Sequence, residues 1–134
     1  MATRDPRSGS VSTGWWPGRV AEAPQRLRKA LRGSDGLGTT EVVVMEVVAG
    51  GRDEVHRAQL LALLAACTML PVGDLDTFLG AADLYRVCRR RGEPVRRLKD
   101  CLVAAVAIRE QVPVLHHDRD FEALARHTPL ALVR

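Results

Sequence analysis

The feature that most constrains the fold is the stretch Lys99–Phe121, KDCLVAAVAIREQVPVLHHDRDF. Its first half is an apolar run too rich in alanine for a strand, which predicts a buried helix that begins at Asp100. Its second apolar run, Val112–Leu115, is short and β-branched and predicts a buried strand. Two acids, Asp118 and Asp120, follow that strand. Because ligands of open α/β sheets bind at the carboxyl ends of the strands, both acids are candidates for chemistry.

The rest of the chain continues an alternation of helices and short strands. Apolar spacing predicts helices at 24–33, 53–66 and 76–90, and strands at 37–39, 67–72 and 130–133. No element is predicted for residues 1–20, which are rich in Gly, Ser, Pro and Arg and lack periodicity. The alternation predicts an α/β fold in which helices cover both faces of a parallel sheet.

One segment, EVVVMEVVAG at residues 41–50, is compatible with two structures. Its β-branched composition fits a strand. A possible N-cap at Thr40 and the pair Gly50-Gly51 at its end favour a helix instead. In a helix, Glu46 is a carboxylate among apolar side chains, where it requires either a structural ion pair with an arginine or a functional cation.

Length and composition limit the class of protein. A chain of 134 residues with 46% hydrophobic residues can bury the core of one domain. No apolar run approaches the roughly 20 residues that cross a bilayer, and the polar start lacks a signal peptide, so we expect no membrane partner and a cytoplasmic location. Three cysteines without metal-site spacing predict buried thiols.

Acids from separate elements form the candidate site, namely Glu46, Asp100 and Asp118 with Asp120 beside it. Converging carboxylates repel one another unless a cation neutralises them, and oxygen ligands select Mg²⁺ or Mn²⁺. A position at a helix N-terminus is expected to lower the pKa of Asp100 through the helix dipole. A purely structural N-cap role for Asp100 is the alternative.

A basic cluster precedes Asp100. Between residues 86 and 99 the only acid is Glu93, and the basic residues are Arg86, Arg89, Arg90, Arg91, Arg96, Arg97 and Lys99. Such a cluster can hold phosphates. The alternative is a solvated helix end in a chain that uses arginine heavily.

Three segments carry a family resemblance: VVVMEVVAG, AADLYRVCRRRGEPVRRLKDCLVAAVAIR and LHHDRDFEALAR. They resemble the PIN-domain toxins of the VapC type over residues 24–134. This division predicts a PIN-like domain at 24–134 after an atypical segment 1–23 that is either disordered or out of family. The resemblance implies a three-layer α/β/α sandwich with a central parallel sheet. It also implies a Mg²⁺-dependent endoribonuclease of a toxin–antitoxin module, held inactive by a VapB-type antitoxin.

The resemblance also assigns residues by motif. It makes Glu46, Asp100 and Asp118 the catalytic acids and metal ligands, with Asp120 as an additional or alternative ligand. The predicted RNA contacts are in the basic cluster, at Arg89, Arg90, Arg96 and Arg97. A homodimer is expected as well, with the helix predicted at 53–66 as a candidate interface.

The start of the chain departs from the family pattern. Such toxins open with an apolar strand that runs into Asp-Thr-Ser, the first metal ligand, whereas Asp5 is followed by Pro6-Arg7. The first strand and its ligand are therefore missing or replaced in this chain. Two functions remain open, an active ribonuclease and a catalytically impaired toxin remnant that still binds its antitoxin. An unrelated α/β regulatory domain is a third interpretation.

Overall fold

The computed structural model describes residues 11–13, 37–116 and 118–133. The strands are β1 (Val11–Thr13), β2 (Gly38–Thr39), β3 (Thr68–Met69) and β4 (Val114–His116). The helices are α1 (Glu41–Ala49), α2 (Glu54–Ala65), α3 (Leu75–Arg90), α4 (Leu98–Glu110) and α5 (Arg119–His127). None of these described helices combines the length and the apolar character needed to span a bilayer.

The described strands pair in parallel. In one pair, β1 lies beside β4 with Thr13 next to His116, and in the other β2 lies beside β3. In the described part of the chain the two pairs are not hydrogen-bonded to each other, and β1 lies near β2. This arrangement confirms the predicted α/β fold with a parallel sheet. It also brings the carboxyl ends of β1 and β4 to the same edge.

The strand β1 was not predicted. Residues 1–20 show no apolar periodicity, and the three-residue strand is recognisable only through its pairing with β4. The helix predicted at 24–33 lies outside the described residues. The strand predicted at 130–133 is reduced to a single parallel bridge between Leu132 and Val114.

The ambiguous segment at 41–50 forms the helix α1. Val43 and Val47 are one helical turn apart and both are buried, so the apolar residues fill the core at helical spacing. Thr40 occupies the N-cap position, but its hydroxyl donates a hydrogen bond to the Glu41 carboxylate instead of capping the helix. The same carboxylate accepts a hydrogen bond from the main-chain N–H of Val72, which ties the start of α1 to the segment after β3.

The helix α4 is the central helix predicted from the apolar run. Cys101, Val103, Ala104, Val106 and Ala107 are all buried, which explains why the run has so few polar residues. The helix begins earlier than predicted, because its N-cap is Arg97 and its first residue is Leu98. It ends at Gln111, which has a left-handed backbone with φ of 56°.

The helix α5 is positioned by its first turn. Asp118 is its N-cap, and the Asp118 side chain accepts a hydrogen bond of 2.9 Å from the main-chain N–H of Asp120. Phe121 and Leu124 are fully buried in the core. Packing of these two side chains therefore fixes the positions of Asp118 and Asp120 at the start of α5.

An ion-pair cluster joins the loop after α3 to the end of α5. Glu93 accepts hydrogen bonds from Arg126, at 3.1 Å from Nε and also from Nη2, and lies 2.9 Å from His127 Nε2. These contacts lower the pKa of Glu93 to about 2, chiefly through the hydrogen bonds from Arg126 and then His127. The cluster thus connects two segments that flank the acids.

We expect Glu93→Gln to destabilise the protein at neutral pH. A lowered pKa in the folded state means that this stabilisation is present above the unfolded value of 4.5 and is lost as the pH falls towards 2. Urea unfolding at a series of pH values should therefore show the free energies of unfolding of the wild type and the variant converging as the pH falls. Equal stability at neutral pH would contradict the expectation, and the exposed Glu54→Gln serves as the control.

Candidate active site

The structure brings together three of the four predicted acids. Among the described residues, Asp100, Asp118 and Asp120 each offer a carboxylate oxygen, and these oxygens all lie within 4.8 Å of one another. Asp100 comes from the first turn of α4, and the other two come from the N-cap and first turn of α5. Their spacing is short enough for one cation to contact all three.

Asp100 is the most unusual member of this group. Its side chain is fully buried, and neither carboxylate oxygen has a hydrogen-bond partner among the described residues. Burial raises the pKa of Asp100 to about 7, and the nearby charges of Asp118 and Asp120 add to the shift. The charge of Glu46 acts in the same direction, whereas Arg97 opposes it. A buried carboxylate without donors is costly unless a cation or a proton neutralises it.

Two expectations for Asp100 were wrong. It is the third residue of α4 and not the N-cap, so the structural capping role is excluded. Its pKa is raised and not lowered, because burial and three neighbouring acids outweigh the helix dipole.

Glu46 lies beside this group without belonging to it. Lys99 Nζ is 2.8 Å from Glu46 Oε1, and the geometry is that of an ion pair and not of an aligned hydrogen bond. The structural alternative from the sequence, an ion pair, is thus present, although the partner is a lysine and not an arginine. The Glu46 side chain is largely buried, and its charge is felt at Asp100.

The basic cluster divides into two parts. Arg96 Nη2 lies 3.1 Å from Asp118 Oδ1, and Arg96 Nε lies 3.3 Å from Asp120 Oδ1. Arg97 Nη1 lies 3.7 Å from Asp118 Oδ2. These arginines, like Lys99, therefore face the acids, although the sequence pattern suggested that the cluster had only Glu93 as a counter-charge.

The other part of the cluster lies on the exposed surface of α3. Arg89 and Arg90 are exposed in the last turn of α3, and the Arg89 guanidinium lies 5.7 Å from the centre of the Tyr85 ring. Glu93, the expected counter-charge, is instead paired with residues of α5. The segment PVRRLKD contained a signal for the counter-ions Arg96, Arg97 and Lys99. These basic residues directly precede Asp100 at the start of a helix and must therefore lie near it.

The family pattern has its first metal ligand directly after the first strand. The carboxyl ends of β1 and β4 are adjacent, because Thr13 pairs with His116. In this chain the residue that directly follows β1 is Gly14, followed by Trp15-Trp16, and none of these carries a carboxylate. Asp5 lies outside the described residues and precedes β1 in the chain. The three residues that directly follow β1 in the sequence therefore include no acid.

The donor set fits a hard divalent cation. Three carboxylates within 4.8 Å provide oxygen ligands only. The buried, partnerless oxygens of Asp100 are groups that a cation would satisfy. Mg²⁺ and Mn²⁺ prefer this set, whereas a zinc site would require nitrogen or sulfur ligands.

Comparison with known proteins identifies the family. A model of the PIN domain matches residues 18–127. The chain is 41% identical over 90 residues to VapC ribonuclease Mb1587 of Mycobacterium bovis, which covers 67% of each chain. Ribonuclease VapC11 of Mycobacterium tuberculosis matches with the same identity and coverage. Ribonuclease VapC51 of the same species is 26% identical over 106 residues, which is 79% of this chain and 77% of VapC51.

The matches agree with the observed α/β fold. The family match spans most of the chain, and the identity of 41% extends over two thirds of it. The third interpretation, an unrelated α/β regulatory domain, was therefore wrong. The chain belongs to the PIN-domain family and, within it, to the VapC-type toxins.

Proposed function

We propose that this protein is a Mg²⁺-dependent endoribonuclease toxin that hydrolyses RNA phosphodiester bonds in the cytoplasm. The observation that carries the proposal is the fully buried Asp100 carboxylate, which lacks a hydrogen-bond partner among the described residues and meets two further acids. The relatives named as VapC ribonucleases support the same activity.

Each acid has a distinct part in this proposal. Asp100, Asp118 and Asp120 would hold the cation. The negative charge of Glu46, which lies beside this group, would add to the attraction. When bound, Mg²⁺ or Mn²⁺ would supply Lewis-acid polarisation of the phosphodiester and help to ionise an attacking water. The fixed position of Asp100 in the first turn of a buried helix orients its oxygens, which have no hydrogen-bond donor among the described residues.

The direct test is cleavage of labelled RNA by the purified protein in increasing Mg²⁺. We expect cleavage to require the cation, to stop on addition of EDTA and to return when Mg²⁺ or Mn²⁺ is restored. A thermal-shift titration with Mg²⁺ in the absence of RNA should show stabilisation, since a ligand that binds only the folded state raises its stability. Cleavage that continues unchanged in EDTA would exclude the proposed chemistry.

RNA contacts are proposed for the basic cluster, where Arg89 and Arg90 are exposed and Arg96 and Arg97 lie at the acids. Backbone contacts of this kind position RNA without reading its bases. They also give binding a salt dependence, because each phosphate contact releases counterions.

We expect the double variant Arg89→Gln/Arg90→Gln to bind RNA more weakly and with a salt slope lower by about 1 to 2. Binding would be measured by fluorescence anisotropy in an Asp100→Asn background, which prevents cleavage. The control is Arg52→Gln/Arg57→Gln, an exposed pair near the start of α2 that removes the same charge. An unchanged slope in the first variant would mean that Arg89 and Arg90 are solvated surface residues.

The second candidate function is a catalytically impaired toxin that retains its antitoxin. It is favoured by the sequence Gly14-Trp15-Trp16 directly after β1, which contains no carboxylate where the family pattern has Asp-Thr-Ser. Such a protein would bind the antitoxin and would bind Mg²⁺ weakly. The cleavage and thermal-shift experiments described above distinguish the two functions.

Protein partners are part of the proposal. We infer a VapB-type antitoxin and a second copy of this chain as partners, with no membrane partner. Large apolar side chains remain exposed in the described part of the chain, including Met45, Phe78 and Leu98, each at least half accessible. Clustered exposure of this kind is typical of protein interfaces. Light scattering of the free protein and co-purification with the co-expressed antitoxin test the two partners separately.

A further inference from the structure

Arg96 makes an unusual set of contacts with the acid group. Its guanidinium bridges two carboxylates, with Nη2 at 3.1 Å from Asp118 Oδ1 and Nε at 3.3 Å from Asp120 Oδ1. Its main-chain N–H donates a separate hydrogen bond of 3.2 Å to Asp120 Oδ2. One residue therefore contacts the acids in two independent ways, through its backbone and through its charge.

The guanidinium contacts oxygens of the same two carboxylates that would face a cation. Asp118 and Asp120 are the two members of the three-acid group on α5, and both are bound by Arg96. A guanidinium and a divalent cation repel each other and cannot fully use the same oxygens. Binding of a cation to the group therefore requires the Arg96 side chain to give up part of its contacts.

The side chain of Arg96 is able to leave without disturbing the core. It is 49% exposed, whereas Asp118 and Asp120 are 8% and 3% exposed. Its guanidinium is held by charge and hydrogen bonds to these two acids. The main-chain hydrogen bond to Asp120 does not involve the guanidinium, so the backbone of Arg96 stays at the site when the side chain moves.

We propose that Arg96 is an internal counter-ion that competes with the cation for Asp118 and Asp120, and that its displaced guanidinium then contacts the RNA phosphate. This proposal rests on the proposed function and adds a means of regulating the same site. Without the cation, Arg96 neutralises the two acids and is withheld from RNA. With the cation bound, a positive side chain is released within reach of the anionic substrate, where charge-assisted contact with a phosphate is favourable.

The first experiment is a calorimetric titration with Mg²⁺ alone, in the absence of RNA. Loss of the competing charge in Arg96→Gln should make Mg²⁺ bind about 2- to 5-fold more tightly, the range expected for a half-exposed ion pair. Arg96→Lys retains a competing charge and should bind Mg²⁺ with nearly the affinity of the wild type. Arg57→Gln, an exposed arginine of α2, is the control for the loss of one positive charge.

The second experiment measures RNA affinity with and without a cation, using Ca²⁺ and a gel that confirms the RNA is uncut. Arg96→Gln should weaken RNA binding about 3- to 10-fold with the cation and have little effect without it, because the guanidinium is released only in the first case. Circular dichroism and thermal unfolding establish that the variants are folded before either titration.

The outcomes separate this proposal from the function on which it rests. A wild-type protein that binds no Mg²⁺ and cuts no RNA would remove the proposed function itself. If the wild type binds Mg²⁺ and cuts RNA, but Arg96→Gln binds Mg²⁺ no more tightly, the competition is overturned alone. An equal loss of RNA affinity with and without the cation would overturn the release of the guanidinium.

Discussion

Replacement of Asp100 with Asn is expected to abolish RNA cleavage and to stabilise the metal-free protein at neutral pH. The amide keeps the shape of the side chain but cannot supply the negative charge that holds a cation. In the metal-free protein the same charge is unfavourable, because it is fully buried, has no hydrogen-bond partner among the described residues and lies beside other acids. In the metal-free protein, the charge of Asp100 therefore lowers the free energy of unfolding, although the same charge is needed to bind the cation.

The pH dependence of this effect follows from the raised pKa. Asp100 titrates at about 7 in the folded protein and at 3.8 when unfolded, so the folded state binds the proton more tightly. The ionisation of Asp100 therefore lowers stability as the pH rises from about 4 to 7, and the loss persists above that range. At pH 8, Asp100→Asn should gain about 2 to 4 kcal/mol, and at pH 4 the gain should nearly vanish.

Urea unfolding in EDTA at pH 4, 6 and 8 measures this gain, and Mg²⁺ then tests the function. Mg²⁺ should stabilise the wild type and leave Asp100→Asn unchanged. Asp83→Asn, an exposed acid of α3, is the control and should behave like the wild type in both solutions. Full cleavage by folded Asp100→Asn would remove Asp100 from the site.

Most helices were predictable because their signals are local. The segments at 53–66 and 76–90 have apolar residues at helical spacing, and Asp53 and Asp74 cap the helices that form there. The strand β1 was missed because three residues carry too little pattern and the strand exists through its neighbours β2 and β4. The choice between strand and helix for α1 likewise depends on which side chains enter the core.

The acids were predictable from the sequence, but their partners were not. Asp100 and Asp118 could be placed at one edge because each lies at the boundary of a strong apolar run. The ion pair between Lys99 and Glu46 joins residues of two different helices, and the bridge from Arg96 to α5 joins a loop to a later helix. Such pairings depend on tertiary distances, so local spacing could identify a basic cluster but not show that three of its seven residues face the acids.

The charges around the acid group explain how the metal-free protein tolerates it. Four acids, Glu46, Asp100, Asp118 and Asp120, are accompanied by Arg96, Arg97 and Lys99 as counter-ions. Among the described residues, Asp100 is the acid of these four that has neither a hydrogen-bond donor nor an ion-pair partner, whereas Glu46 is paired with Lys99. We infer that binding of the metal ion depends mainly on Asp100 and is weakened by the neighbouring basic side chains. Removal of Asp100 and removal of Arg96 should therefore change Mg²⁺ affinity in opposite directions.

The two acids of α5 are expected to differ in a way that separates catalysis from stability. Asp118→Asn should reduce cleavage by about 100-fold or more but cost less than about 1 kcal/mol, because Asn is also a good N-cap and can still accept the hydrogen bond from Asp120. Asp120→Asn should reduce cleavage by only about 10-fold. It should instead be the more destabilising change.

The structural reason lies in the contacts of Asp120 with Arg96. Both oxygens of this buried carboxylate accept hydrogen bonds from Arg96, one from the main chain and one from the side chain. An amide has a single acceptor oxygen, so in either orientation its NH₂ group faces a donor of Arg96, which should cost about 1 to 3 kcal/mol. Urea unfolding and cleavage assays at equal folded fractions measure the two effects. If Asp120→Asn loses more cleavage than Asp118→Asn, the correspondence with the family motif is displaced by two residues, and Asp120 holds the position that we assign to Asp118.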